Sequence, residues 1–326
     1  MKALILKQHS DINQLRFFIE EKLQPVMLEN ECLVKVEYSG INPSDALATT
    51  GYFKDAILPR TPGRDFAGTV IAGPANFLGK KVWGTGGAAG IESDGTQAEI
   101  IKLPVAALSE IPSNMNLLTA SAQTLPYVTA YYSLVERARI KAGDTVLITG
   151  ALGQVGQAAL SICQWKKAIP IALVRGEEDV KKAEAMGIKA IDSDEKNLAQ
   201  KILALNNEQP IQTIFNSLGN LYWHDFITCL SDFGKIVTIG ARENNREAML
   251  NLFELYRANQ EIIGVNTVHF NFTENANFLN VMRDGFEKNL LKPLAVAEEI
   301  YTLENAEQAY QQVLAGSHLR VVIKIS

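Results

Sequence analysis

Apolar positions recur every second residue early in the chain and every third or fourth residue in its middle, and the change comes near Ser121. Before it, Glu31–Tyr38 alternates in period two. Thr69–Ile71 and Lys81–Trp83 are further strand candidates between Gly and Pro punctuation, so this part is predicted to be β-rich. After it, apolar runs alternate with helical patterns, which is how a parallel sheet flanked by helices appears in one dimension. The predicted strands there are Thr145–Thr149, Ile169–Val174, Lys189–Ile191, Thr213–Phe215, Ile236–Ile239 and Glu261–Val265. Val155, Ala158, Ala159, Ile162 and Cys163 form one apolar face of the helix that follows the first of these, which places Cys163 in packing. A second helix runs from about Glu177 to Met186 and stops at Gly187. The tail, from about Asn266, is predicted to hold one long helix near Glu274–Lys288 and a last strand at Val321–Ile325.

With 326 residues, two domains are the starting expectation. The formal net charge of −5 lacks the broad basic surface of a nucleic-acid binder. The N-terminal apolar stretch is broken at Lys7, too early for a secretory leader, and no apolar run is long enough to span a bilayer. Cys32, Cys163 and Cys229 are odd in number and widely spaced, which suits a reducing cytoplasm. A cytoplasmic protein with no membrane or nucleic-acid partner is expected.

The sharpest chemical signal is Gly150-Ala151-Leu152-Gly153-Gln154-Val155-Gly156, set between the Thr145–Thr149 strand and the amphipathic helix. A pyrophosphate needs backbone N–H groups and the positive end of a helix dipole, with no side chain in the way. Gly153 permits that approach, and Gly156 lets the helix pack on the strand. The glycine pattern is weak alone; its strand–turn–helix setting makes it a dinucleotide site. An NAD enzyme usually carries an acidic residue about 20 positions after the glycines, on the ribose 2′-hydroxyl. Here the second strand ends at Val174 and Arg175 follows, a residue suited to a 2′-phosphate, with Lys181 and Lys182 near in sequence. Glu177 and Glu178 also follow and stay open as ribose partners. NADPH is the expected cofactor.

Ile41-Asn42-Pro43-Ser44-Asp45, Pro62-Gly63-Arg64-Asp65-Phe66-Ala67-Gly68-Thr69-Val70 and Leu125-Pro126-Tyr127-Val128-Thr129-Ala130-Tyr131-Tyr132 resemble motifs of the medium-chain dehydrogenases/reductases. The glycine turn, Gly234-Lys235-Ile236-Val237 with Gly240-Ala241, and Arg320-Val321-Val322-Ile323 continue the match over nearly the whole chain. The resemblance implies an α/β protein: a GroES-like β-rich catalytic domain (residues 1–120 and 266–326) around a doubly wound Rossmann nucleotide-binding domain with a parallel sheet (121–265), the cofactor between them. Zinc-dependent members carry Cys where this chain has Asn42 and His-Glu where it has Arg64-Asp65, and a four-cysteine lobe absent from Gly84–Gln97. His9, His224, His269 and His318 have no paired spacing, so no metal is expected.

Without zinc, the resemblance implies the quinone oxidoreductase branch. It assigns Asn42 to the nicotinamide ribose, Thr129 to the nicotinamide, and Gly240 and Ala241 to the floor beneath the cofactor. Leu218, Arg320 and Ser193 complete the expected cofactor contacts, with Ser193 where the branch often has a tyrosine. Asp179 stands where many relatives place a phosphate-binding lysine, leaving more of the NADPH preference to Arg175. Tyr52 is the candidate proton donor, with Asn42 as second catalytic candidate; enoyl-thioester reductases align their tyrosine with Phe53. The expected activity is NADPH-dependent reduction of quinones or α,β-unsaturated carbonyls. Two readings stay open beside it, an enoyl- or acrylyl-thioester reductase and a non-catalytic NADPH-binding sensor or structural protein. The branch also implies a homodimer joined through the edge strand Glu261–Val265.

Overall fold

The computed structural model describes residues 1–241 and 243–326. In chain order the strands are β1 (Lys2–Ile5), β2 (Phe18–Glu21), β3 (Glu31–Gly40), β4 (Asp65–Ala72), β5 (Lys81–Thr85), β6 (Ile100–Pro104), β7 (Ser109–Glu110), β8 (Thr145–Thr149), β9 (Ile169–Val174), β10 (Lys189–Asp192), β11 (Ile211–Asn216), β12 (Leu230–Thr238), β13 (Glu261–Gly264), β14 (Tyr301–Thr302) and β15 (Val322–Lys324). The helices are α1 (Pro43–Thr49), α2 (Leu117–Ser121), α3 (Thr124–Tyr131), α4 (Gln154–Trp165), α5 (Glu177–Ala185), α6 (Leu198–Leu205), α7 (Trp223–Cys229), α8 (Leu252–Arg257), α9 (Phe272–Glu287) and α10 (Ala306–Ala315). They group into two compact units, Met1–Val128 with Thr267–Ser326, and Thr129–Asn266. The change of pattern near Ser121 marks the start of a helical stretch, α2 and α3, that runs past the point where the first unit ends.

The first unit is built on antiparallel strands. Its main sheet runs β14-β15-β3-β4-β5-β7, with β6 also paired to β3, and β1 and β2 form a separate hairpin. The period-two pattern of β3 shows in its burial, with Lys35 exposed between buried Val34 and Val36. The tail supplies β15, antiparallel to β3 with Val322 opposite Gly40, and β14 alongside it. Leu4, Val34, Val36, Phe66, Val82, Tyr310 and Ile323 are core members here. The Asn-Pro-Ser-Asp run opens a helix, because Asn42 is extended (φ −102°, ψ 152°) and Pro43 takes the first helical position, where its missing N–H costs nothing. One expectation needs correction: the tail holds two helices rather than one, α9 and α10, the second burying Ala306, Ala309, Tyr310 and Val313 at helical spacing.

The second unit is a six-stranded sheet of order β10-β9-β8-β11-β12-β13 in which every neighbouring pair is parallel. That is the doubly wound dinucleotide-binding order, and it reverses between β8 and β11, so a ligand site is expected beyond their carboxyl ends. Strands β8 and β9 keep the predicted limits, β8 buried throughout and β9 from Ile171 to Val174. Leu147, Ile171, Leu173, Ile214, Phe226 and Ile236 pack in its core.

The approach of α4 to the end of β8 depends on Gly156. A Cβ there would stand 2.2 Å from the Gly150 carbonyl oxygen and 2.7 Å from Ala151 Cα, both backbone atoms that cannot rotate away. Gly156→Val is therefore expected to lower stability by about 1–3 kcal/mol in urea unfolding followed by circular dichroism. Gly264→Ala, with nothing within 4 Å of the added carbon, is expected to change it by less than about 0.5 kcal/mol.

Candidate active site

In the second unit the expected cofactor residues gather at the carboxyl ends of the strands. Gly150 takes a left-handed conformation (φ +57°) that turns the chain from β8 into α4. Gly153 is the N-cap of α4 and, having no side chain, leaves the first-turn amides without a side-chain cap. A Cβ at Gly153 would sit 3.1 Å from the Gly150 carbonyl, so the cradle is one that a side chain would crowd. The turn therefore fits a pyrophosphate, with Ala151, Leu152, Gly153, Gln154 and Val155 as its wall.

Across the switch point the turn is pinned to β11. Thr149 Oγ1 and Ser217 Oγ lie 3.0 Å apart, and the Ser217 N–H donates to Thr149 Oγ1 at 2.8 Å. Asn216, wholly buried, accepts the Leu218 N–H at 2.9 Å and donates to the Gly219 carbonyl at 2.8 Å, which sets the loop bearing Leu218. A Cβ on Gly219 would lie 2.9 Å from Ala241 Cβ, so this loop abuts Gly240-Ala241. Thr149, Asn216 and Ser217 went unnoticed in the sequence, where a threonine ending a strand and an Asn-Ser pair carry no distinctive spacing. Thr129 lies on α3, 9% exposed.

Arg175 follows β9, and in-register pairing puts Asp192 beside Val174. Asp192 Oδ1 accepts the Gly176 N–H at 2.9 Å and the Asp194 N–H at 3.1 Å. Those amide bonds, with a smaller contribution from the Arg175 charge, hold its carboxyl below the usual carboxylate range. Ser193 follows, its N–H on the Val174 carbonyl at 2.8 Å. Lys181 and Lys182, expected to add positive potential, are paired along α5 with Glu177 (2.6 Å), Glu178 (2.9 Å) and Asp179 (3.1 Å).

The first unit holds Asn42, Tyr52 and Arg320. Asn42 Nδ2 donates to Asp45 Oδ2 at 2.9 Å and Asp65 Oδ2 at 3.0 Å. Asp45 is paired with Arg64 at 2.8 Å and Asp65 with Arg320 at 3.0 Å, all four side chains at most 2% exposed. Burial pushes the Asp65 carboxyl up, and the Arg320 guanidinium opposes that rise. Arg64 also donates to Ser44 Oγ. Tyr52 is 42% exposed and stands edge-on to Phe53 at 5.2 Å. Its loop is clamped by buried Arg60, which donates to the carbonyls of Ala48 (2.7 Å), Ile57 (2.6 Å) and Gly90 (2.7 Å). That role is invisible in sequence, since a lone arginine gives no sign of where its donors end.

Zinc, which the names of relatives below suggest, does not fit these residues. Among the described residues no three His, Cys, Asp or Glu side chains gather as ligands. The buried acidic pair, Asp45 and Asp65, is already ion-paired with two guanidinium groups that would repel a divalent cation.

The pattern of the alcohol dehydrogenase GroES-like domain matches residues 28–113, and that of the zinc-binding dehydrogenases matches 155–282. A zinc-type alcohol dehydrogenase-like protein of Schizosaccharomyces pombe is 30% identical over 332 aligned positions, covering 100% of this chain and 98% of that one. Human quinone oxidoreductase is 28% identical over 302 positions, covering 90% of this chain and 88% of its own. The structure of Escherichia coli quinone oxidoreductase complexed with NADPH superposes with a TM-score of 0.83 at 20% identity, covering 99% of this chain and 100% of that one. With a GroES-like domain and a Rossmann sheet both matched, the chain belongs to the medium-chain dehydrogenase/reductase family as a quinone-oxidoreductase-like oxidoreductase.

Proposed function

We propose that this protein is an NADPH-using, zinc-independent reductase of quinones or α,β-unsaturated carbonyls. The observation that carries the reading is the uncapped amino end of α4 beneath the Gly150–Gly153 turn, joined to a first unit whose polar centre is ion-paired rather than metal-binding. On this reading the second unit would bind the dinucleotide, and Asn42 and Tyr52 of the first are the catalytic candidates. Bound there, the nicotinamide would supply a hydride to an electron-poor carbon. The α4 amides would hold its diphosphate, with Leu218, Gly240 and Ala241 lining the neighbouring loops and Thr129 near the ring. Asn42 spends its two N–H bonds on Asp45 and Asp65, so its carbonyl oxygen is what remains to accept a ribose hydroxyl. Arg320, fully buried, serves by holding Asp65, and through it the Asn42 amide, in place. Arg175 would meet a 2′-phosphate, with Ser193 beside it.

Charge building on the substrate oxygen needs a donor, and half-exposed Tyr52, held on a clamped loop, would provide one. Thioester substrates are the second reading; Phe53 beside Tyr52, in the position of those enzymes' tyrosine, favours the first. We further propose a homodimer joined along β13, because Ile262 on that edge strand and Phe253 and Tyr256 on α8 are exposed apolar side chains. The three buried free thiols support a cytoplasmic setting.

Ligand-stripped protein is expected to bind NADPH in a fluorescence titration, and Arg175→Asp to weaken NADPH at least tenfold against NADH, about 1.4 kcal/mol; no binding of either nucleotide sinks the proposal. Tyr52→Phe is expected to slow enal reduction about 10²-fold while leaving quinone reduction within a few fold, since solvent can protonate a stable hydroquinone anion. Equal effects on both would make Tyr52 a packing residue. Sedimentation velocity should show a dimer that Ile262→Lys dissociates.

A further inference from the structure

Three loops leave the carboxyl ends of neighbouring strands in the second unit: Gly150–Gly153 after β8, Arg175-Gly176 after β9, and the turn after Asp192 at the end of β10. A dinucleotide whose diphosphate rests on the first has its adenosine ribose at the second, so the charges of the second and third loops decide which ribose is accepted. Arg175 alone would favour a 2′-phosphate. It does not stand alone.

Asp192 is fastened to the turn that Arg175 begins. Parallel register sets it beside Val174, and its Oδ1 takes the N–H of Gly176, the residue after Arg175, at 2.9 Å. The second amide bond, from Asp194 at 3.1 Å, fixes the carboxylate from its own side. Both bonds fall on Oδ1, so they hold the carboxylate at the turn that Arg175 begins. The surroundings do not restore positive potential, since Lys181 and Lys182 are spent on Glu177, Glu178 and Asp179. Between Arg175 and Lys196 the chain carries five basic side chains against seven acidic ones. A 2′-phosphate, with a charge near −1.5 to −2 at neutral pH, would thus enter a region that is net negative.

We propose that Asp192 is a specificity-determining residue that opposes Arg175, so that the preference for NADPH is small and NADH is accepted as well. The inference rests on the nucleotide-binding reading above. It assigns the discrimination to a pair of opposite charges one strand apart rather than to a single residue after β9.

Asp192→Asn removes the charge and keeps an oxygen for the Gly176 and Asp194 amides. Dissociation constants of NADPH and NADH are measured on the full-length, ligand-stripped protein at low and high salt. The variant is expected to favour NADPH over NADH about tenfold more than the parent does, through tighter NADPH binding. The gain should shrink at about 1 M salt, where a charge effect is screened and a packing effect is not. Asp192→Ser, whose hydroxyl can take one of the same amide bonds, is read in the same way should the first variant fold poorly. A ratio unchanged in a variant that still binds nucleotide, or a gain indifferent to salt, overturns the proposal. Failure of the parent protein to bind either nucleotide overturns instead the nucleotide-binding reading itself.

Discussion

The second unit is organised around one close approach. With only 2.2 Å between the Gly150 carbonyl oxygen and the place a Cβ of residue 156 would occupy, α4 can begin where it does only because residue 156 is glycine. That contact brings the amino end of α4 up to the end of β8, where the strand order reverses. Everything placed beyond the sheet then follows from strand order: the Ser217–Gly219 loop on one side, tied through Thr149, and the Arg175 and Asp192 loops on the other. Helix dipole and amide effects fall off within a turn, so the amide cradle depends on α4 starting this close to the end of β8.

The first unit meets a different constraint, that of keeping charges out of water. Asp45 with Arg64 and Asp65 with Arg320 are buried pairs, and such pairs contribute little net stability because desolvation consumes much of the Coulomb gain. Their value lies in geometry. Each carboxylate carries a second bond to the Asn42 amide, so two strong anchors fix one weak polar group. Removing a single partner would strand a charge in the interior, the costly outcome for a buried pair. Such a cluster therefore persists whole or not at all.

Much of this architecture was legible from the chain. Strands β8 and β9 were readable to the residue because a strand buried on both faces, as β8 is throughout and β9 is from Ile171 on, is a continuous apolar run. Elements that bury little apolar surface were not. The strand β2 is largely exposed, and although α10 buries Tyr310 and Val313, its other two buried positions are alanines set among glutamines, which weakens the hydrophobic contrast. The helix α1 was hidden because Asn-Pro-Ser-Asp is compatible with a turn and with a helix start alike. The polar centre of the first unit was beyond reach for another reason: Asp65 and Arg320 lie 255 positions apart, and sequence alone gives no sign that they pair. Likewise Asp192 is one acid among several until strand register sets it beside Val174 and its oxygen on Gly176.

The two centres together bear on which acceptors the proposed enzyme can serve. Reducing a simple ketone makes an alkoxide, a localised and strongly basic anion that a metal Lewis acid stabilises well. Here the positions near Asn42 are held by guanidinium–carboxylate pairs, and the donor proposed for a developing oxyanion is the half-exposed phenol of Tyr52. A single hydrogen bond suffices when the anion is already delocalised, as in an enolate or a hydroquinone anion, and falls short when it is not. On the proposed metal-free reading, the substrate range would narrow at the electronic level before any pocket shape is considered. It would favour acceptors whose conjugation, rather than the protein, carries the charge.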